Sequence, residues 1–391
     1  MKKLYMPSAD LNVLFCGGLG MGGFTSLANA VHNSPQGIRF FFPRRLVSLA
    51  RYGGVELPAE RVLPAMDLGL STAVLRFPGV SRFLVRKNYN LPPVRFLHLA
   101  PKEASKIDAT FSYMKPLVHN KPWVFAFDHV PGHYWIGQPF PPWSKKLLQR
   151  VLSAPNCKAI LPESRWALGL LAERTVNLRA LEHKITIVPP FPMASAPEKK
   201  FPPAGDPVRF LLVGKAFERK GGFEALSAFE SLANEMEGIE FHLVGSHGAV
   251  HERILSRIQA MAPDVRPRVH AHGSMEYKGI GSVFGQCDVY VMPSRYECFG
   301  AAFTEAMNFS LPVIASRVDA VPEIVEDGRT GLLVEKENGG QLLDAMRSLA
   351  SSASLRKKMG RAGKERFEEK FGSKPMHEKL RKVLSEAAGK G

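Results

Sequence analysis

The chain has 391 residues, 45% hydrophobic and 23% charged, with 52 Lys+Arg against 36 Asp+Glu. That length accommodates two domains, and that balance excludes a disordered chain. The charge is one-sided: residues 1–200 hold 26 basic and 11 acidic side chains (net +15) and residues 201–391 hold 26 and 25 (net +1), summing to +16. An anionic partner drawn by this field therefore meets the first half.

The opening "MKKLYMPSADLNVLFCGG" carries two lysines, but its apolar run is short and no small-residue cleavage site follows, so a signal peptide is not expected. No stretch reaches the ~18 apolar residues that span a bilayer. Cys16, Cys157, Cys287 and Cys298 lie far apart in no metal-like spacing and read as reduced thiols of a cytoplasmic protein.

Taken in order, Asn12 to Cys16 reads as a buried strand, followed by a glycine cluster and a helical pattern from about Phe24. Strand, glycine-rich turn and helix open a nucleotide-binding α/β domain, although such glycines can serve packing alone. Further strands are predicted at "WVFAFDHV", "KAILPES" and "ITIVPPF", alternating with helices at "WSKKLLQRVLSA" and "ALGLLAERTVN". A proline-rich stretch over 190–206 marks a boundary, dividing an N-terminal Rossmann-like domain (1–195) from a second one (206–372). There the pattern restarts: strand, glycine-containing loop and helix in "PVRFLLVGKAFERKGGFEALSAFESLANE", then "IEFHLVGSHG", "RILSRIQAM", "RVHAHGS", "GSVFGQC", "DVYVMPS", "LPVIASRV" and "TGLLVE". A last helix, "KPMHEKLRKVLSEAA" within 373–391, is expected to pack back on the first domain. The predicted class is α/β, with two doubly wound domains facing a cleft.

Chemistry concentrates in two stretches of the second half. In "VGKAFERKGG", Lys215 and Lys220 follow the domain's first strand, where ligands of open α/β sheets bind and where ammonium groups can meet a diphosphate. In "SRYECFGAAFTEAMNFSLPVIAS", Glu297 precedes a helix start near Gly300, and Glu305 lies about a turn and a half inside that helix. The backbone N–H groups of Phe299, Gly300 and Ala301 are the free donors of such a start, which favours an anion. Glu305 can accept from the two hydroxyls of a ribose, and Glu297 from those of a sugar beyond the diphosphate. Taken singly, solvated lysines and helix-start acids would explain each feature as well.

"VGKAFERKGG", "DVYVMPSRYECFGAAFTEAMNFSLPVIAS", "VPEIVEDGRTGLLV" and the closing helix together resemble the family 4 retaining glycosyltransferases of the GT-B fold. The resemblance is strong over about 207–372 and looser before that. It implies a hexosyltransferase using a nucleotide-diphosphate sugar, without a cofactor. The family's bracketing glutamates fall on Glu297 (sugar) and Glu305 (ribose), its basic pair on Lys215 and Lys220, and its base-holding backbone near Met275. Gly22 and Gly23 would let the donor approach the first domain, and His129 in "FAFDHVPG" is the histidine expected to line the cleft. Glu297, His129 and Lys220 are thus the expected catalytic set. Lys215 stands where the family has Arg, Ser310 where it has Gly, and Asp319-Ala320 where it has Gly-Gly.

No Asp-x-Asp occurs in the chain, so no catalytic metal is expected. The basic, aromatic segments "IRFFFPRRLVSLARYGG" and "VSRFLVRKNYNLPPVRF" suit an anionic leaflet and a phosphorylated or lipid-linked saccharide acceptor. They are equally readable as core aromatics rimmed by arginine. The expected location is cytoplasmic, with peripheral attachment to the inner membrane face. A basic nucleic-acid-binding protein, and an epimerase or phosphorylase on the same plan, remain open alternatives. Dispersed basic residues and paired glutamates argue against nucleic acid.

Overall fold

The computed structural model describes residues 11–16, 38–43, 62–63, 65–69, 95–99, 101–114, 116–118, 121–128, 142–175, 177–190, 196, 206–275 and 277–390. The chain separates into two compact units, Met1–Met193 with Ser373–Gly391, and Ala194–Gly372.

In the first unit, β1 (Leu11–Cys16), β2 (Ile38–Pro43), β3 (Val62–Leu63), β6 (Ala109–Tyr113), β8 (Trp123–Phe127) and β9 (Cys157–Pro162) form a parallel sheet in the order β3-β2-β1-β6-β8-β9. A separate three-stranded sheet holds β4 (Ala65–Gly69), β5 (Arg95–Leu99) and β7 (Leu117–Val118). Every residue of β6 and β8 is buried, as expected of strands covered on both faces. Helices α1 (Pro142–Ser153) and α2 (Arg165–Arg174) flank β9. Ser164 caps α2, its hydroxyl accepting from the Ala167 N–H at 3.0 Å. "ITIVPPF" is not the strand its composition suggests. It runs beside β9 through the bridge of Ile160 with Ile185 and two hydrogen bonds, the Thr186 N–H to the Ile160 carbonyl and the Val188 N–H to the Pro162 carbonyl, both at 3.0 Å, and the pairing stops at Pro189 and Pro190, which have no N–H to donate.

The second unit is a parallel sheet of β10 (Val208–Val213), β11 (Ile239–Val244), β12 (Val269–Gly273), β13 (Val289–Met292), β14 (Val313–Ser316) and β15 (Gly331–Val334), ordered β12-β11-β10-β13-β14-β15. Its longer helices are α3 (Gly222–Glu235), α4 (Gly248–Gln259), α5 (Tyr277–Gln286), α6 (Ala301–Asn308), α7 (Gly339–Ser351) and α8 (Ala353–Arg366). One face packs Phe210, Phe229 and Phe241 under α3 and α7, and the other packs Phe284, Tyr290 and Phe303. Both large sheets start in the middle and wind outward both ways, the doubly wound plan.

The last helix, α9 (Ser373–Ala387), belongs to the first unit. Met376, Leu380, Val383, Leu384 and Ala387 share one helical face and join the core of Leu11, Val13, Phe40 and Tyr113. In the basic segment "IRFFFP", Ile38 and Phe40 are buried and Arg39 is exposed, so Phe40 is a core aromatic. Among the described residues, no helix is long and apolar enough to cross a membrane. Cys157, Cys287 and Cys298 are buried.

Leu384 is fully buried. Leu384→Ala is expected to cost about 2–5 kcal/mol, read as a lower denaturation midpoint in urea. A loss below ~0.5 kcal/mol would mean that α9 is not part of the first unit's core.

Candidate functional site

All six strands of the second unit run parallel, so the loops leaving their carboxyl ends gather along one edge. The chain winds away from β10 toward β11 on one side and β13 on the other, which leaves a crevice between the loops after β10 and β13.

The loop after β10 is bent tightly. Gly221 sits at φ +70°, and a Cβ there would lie 2.2 Å from the Pro293 carbonyl oxygen. A Cβ on Gly214 would lie 2.1 Å from Lys220 Cδ, so the lysine stem runs directly over that glycine. This lays Lys220 against the loop after β13, where its Nζ donates to Glu297 Oε2 at 3.2 Å. Arg219 Nη1 lies 3.5 Å from the same oxygen and donates to the Tyr296 carbonyl at 2.9 Å.

Glu297 is buried, 7% exposed, between two cations. A buried carboxylate is tolerable only when paired in this way. Its own N–H donates to Asp319 Oδ2 at 2.8 Å, so the loop after β14 sets its backbone. Glu305, on α6, is half-buried. Burial pushes its carboxyl up to about 7, and the Lys220 ammonium partly offsets this. Tyr290 lies under both acids. Its phenol is pushed well up by burial and by Glu305 and Glu297, and its hydroxyl donates to the Val213 carbonyl at 3.2 Å.

Gly300 opens α6 at φ +79°, with no side-chain cap. A Cβ there would lie 2.5 Å from the Phe303 ring and 2.9 Å from Glu297 Cγ, so only glycine joins the acid to the helix start at this distance. The Phe299 ring is committed to the core, edge-on to Phe371 at 6.0 Å between centroids. Ala301 is the first helical residue. Met275 follows β12, half-buried against the Phe284 side of the core, and Lys215 is exposed at the start of the β10 loop. The structure thus brings Lys220, Glu297, Gly300 and Glu305 together. Gly22, Gly23 and His129 lie outside the described residues.

Two members of this cluster were not among the sequence candidates. Arg219 adjoins Lys220 in the same loop, and that adjacency was its only signal. Asp319 occupies a position where glycine was expected and has φ +48°; Ser310, the other such position, has φ +57°. Both are left-handed positions that favour glycine, and Asp tolerates them better than most residues.

Residues 196–366 match the family model described as glycosyl transferases group 1. An uncharacterized glycosyltransferase of Methanocaldococcus jannaschii is 33% identical over 168 residues, 42% of this chain and 46% of that protein. A phosphatidyl-myo-inositol mannosyltransferase of Mycobacterium leprae is 27% identical over 57% of this chain and 55% of that protein. The alignments thus span about half the length of these relatives. The Anabaena protein HepE, solved with UDP-glucose, superposes over 96% of this chain and 100% of its own, with TM-score 0.65 at 14% identity. The fold is that of the GT-B glycosyltransferases.

Folded Glu305 holds its proton to about 7, whereas its ordinary value is 4.5. The folded state therefore binds the extra proton, and ionising this buried acid reduces stability as pH rises from 4.5 to 7. Glu305→Gln is expected to flatten that stretch of the stability-versus-pH curve and to raise the melting temperature above pH 7. Parallel curves for the two proteins would contradict the assigned shift.

Proposed function

We propose that this chain is a retaining, metal-independent glycosyltransferase that moves a hexose from a nucleotide-diphosphate sugar to a hydroxyl acceptor. The observation that carries the reading is the pairing of Lys220 with Glu297 beside the uncapped start of α6. The group 1 family match over the second unit supports it.

In this reading Glu305 accepts from the ribose hydroxyls, and backbone near Met275 holds the base. The diphosphate meets Lys220, Lys215, Arg219 and the N–H groups of Phe299, Gly300 and Ala301. Glu297 holds hydroxyls of the transferred sugar, which requires that it give up part of its pairing with Lys220 and Arg219. Those cations then turn to the phosphate, where negative charge grows as the glycosidic bond breaks. Groups preorganised toward such charge are worth about 2–4 kcal/mol each. The anomeric carbon passes through an oxocarbenium-like state. The acceptor oxygen bonds to it on the face the diphosphate leaves, and the departing phosphate oxygen takes the acceptor's proton, so configuration is retained. By the family resemblance, His129 is assigned to the transferred sugar and Gly22 and Gly23 to the donor.

The acceptor reading is a phosphorylated or lipid-linked saccharide of the cell envelope. Support comes from the +15 carried by residues 1–200 and from the lipid named for the Mycobacterium leprae relative. With Phe40 in the core, attachment to the inner membrane face would rest on charge more than on inserted aromatics.

Donor selection is tested by thermal shift with UDP-, GDP- and ADP-sugars, and stereochemistry by NMR of the product's anomeric proton. A matching donor should raise the melting temperature with the logarithm of its concentration. Glu297→Ala and Lys220→Ala should each lower turnover at least ~100-fold. Full activity in both variants would refute the site, and an inverted product would refute the mechanism.

A further inference from the structure

At the opposite side of the second unit's sheet from β15, three imidazoles and a carboxylate share one face. Glu240 and His242 lie two apart on β11, and His270 and His272 two apart on the edge strand β12. His242 pairs directly across from His270 in the parallel register. Alternation along a strand puts each pair on the face away from Phe241 and Leu243, which belong to the core.

The donor atoms converge. His242 Nε2 lies 3.5 Å and His270 Nε2 3.9 Å from Glu240 Oε2, and all three ligand atoms fall within 4.8 Å of one another. Tetrahedral zinc with ligands at 2.0–2.1 Å separates neighbouring donors by about 3.4 Å, so modest side-chain rotation closes the set. His242 Nδ1 lies 3.0 Å from His272 Nε2. With the proton on Nδ1, His242 donates to His272 and turns the lone pair of Nε2 toward Glu240 and His270. Ligating histidines commonly hold their other ring nitrogen in this way. His242 Nε2 is buried and makes no hydrogen bond, an unsatisfied position that burial makes costly. The opposing charge is Arg209 on β10, whose Nε donates to Glu240 Oε2 at 3.1 Å and weakens a cation there without occupying the imidazoles. His270 is 39% exposed at the sheet edge, which leaves an entry path and room for a water as fourth ligand.

We propose that Glu240, His242 and His270 bind a divalent first-row transition cation of the zinc class, positioned through His272, and that this ion ties the edge strand β12 to β11. Two imidazoles and one carboxylate with an open position suit zinc or cobalt over calcium or magnesium, which prefer oxygen sets. The inference stands apart from the donor reading, since neither the glutamates nor the lysines of the β10 and β13 loops take part.

The test uses chelator-treated full-length protein without a histidine tag. Cobalt(II) titration should give a saturable visible absorption at one equivalent that zinc displaces, and zinc should raise the melting temperature. His270→Gln and Glu240→Gln should weaken zinc binding at least ten-fold and abolish the thermal shift, while His183→Gln, an exposed histidine of the first unit, should leave both unchanged. A wild-type protein with no saturable signal overturns the proposal. So does binding retained in both cluster variants, or a cobalt–thiolate band placing the ion on cysteine.

Discussion

A lysine stem laid across a glycine holds the rest of the site in place. Lys220 passes over Gly214 so closely that any side chain there would occupy its path, and it ends on the buried carboxylate of Glu297. Gly221 seats the same loop against Pro293, and Gly300 seats Glu297 against α6. These are three close approaches, and a Cβ at Gly221 would meet Pro293 backbone while one at Gly214 would push the lysine stem from its path. Together they hold a cation, two acids and an uncapped helix start at one crevice of the sheet.

The pairing has a mechanical consequence. Truncating one member of a buried ion pair strands the other, so Glu297 and Lys220 cannot be assessed separately from kinetics alone. Asp319 adds a third participant, gripping the Glu297 N–H from the loop after β14 while sitting at positive φ. A glycine there would relieve the backbone and release the grip. The departure from the family pattern therefore replaces conformational ease with a hydrogen bond, an exchange visible only when both dihedral and partner are known.

The winding of the second unit was legible because buried parallel strands are continuous apolar runs punctuated by glycine loops, as in "RFLLVGKAFERKGG" and "DVYVMPSRYECFG". Glu297 and Lys220 were candidates for a related reason, since loops leaving the carboxyl ends of such strands form the ligand edge, whereas Glu305 was a candidate from its place in the helix that follows. "ITIVPPF" pairs with β9 only through Thr186 and Val188, because the two prolines that follow carry no N–H to continue a ladder. The histidines of β11 and β12 attracted no notice, since His242 and His270 are 28 residues apart and their meeting depends on register.

The sequence by itself determined the α/β class and the identity of the charged groups, because periodicity and residue chemistry are local properties. Only the tertiary structure decided that Phe40 is core, that the Phe299 ring packs on Phe371, and that Arg219 and Asp319 join Glu297. It also decided that Glu305 carries its proton to about 7. Burial, charge pairing and strand register arise between segments distant in the chain, and desolvation and Coulomb energy depend on those distances in space.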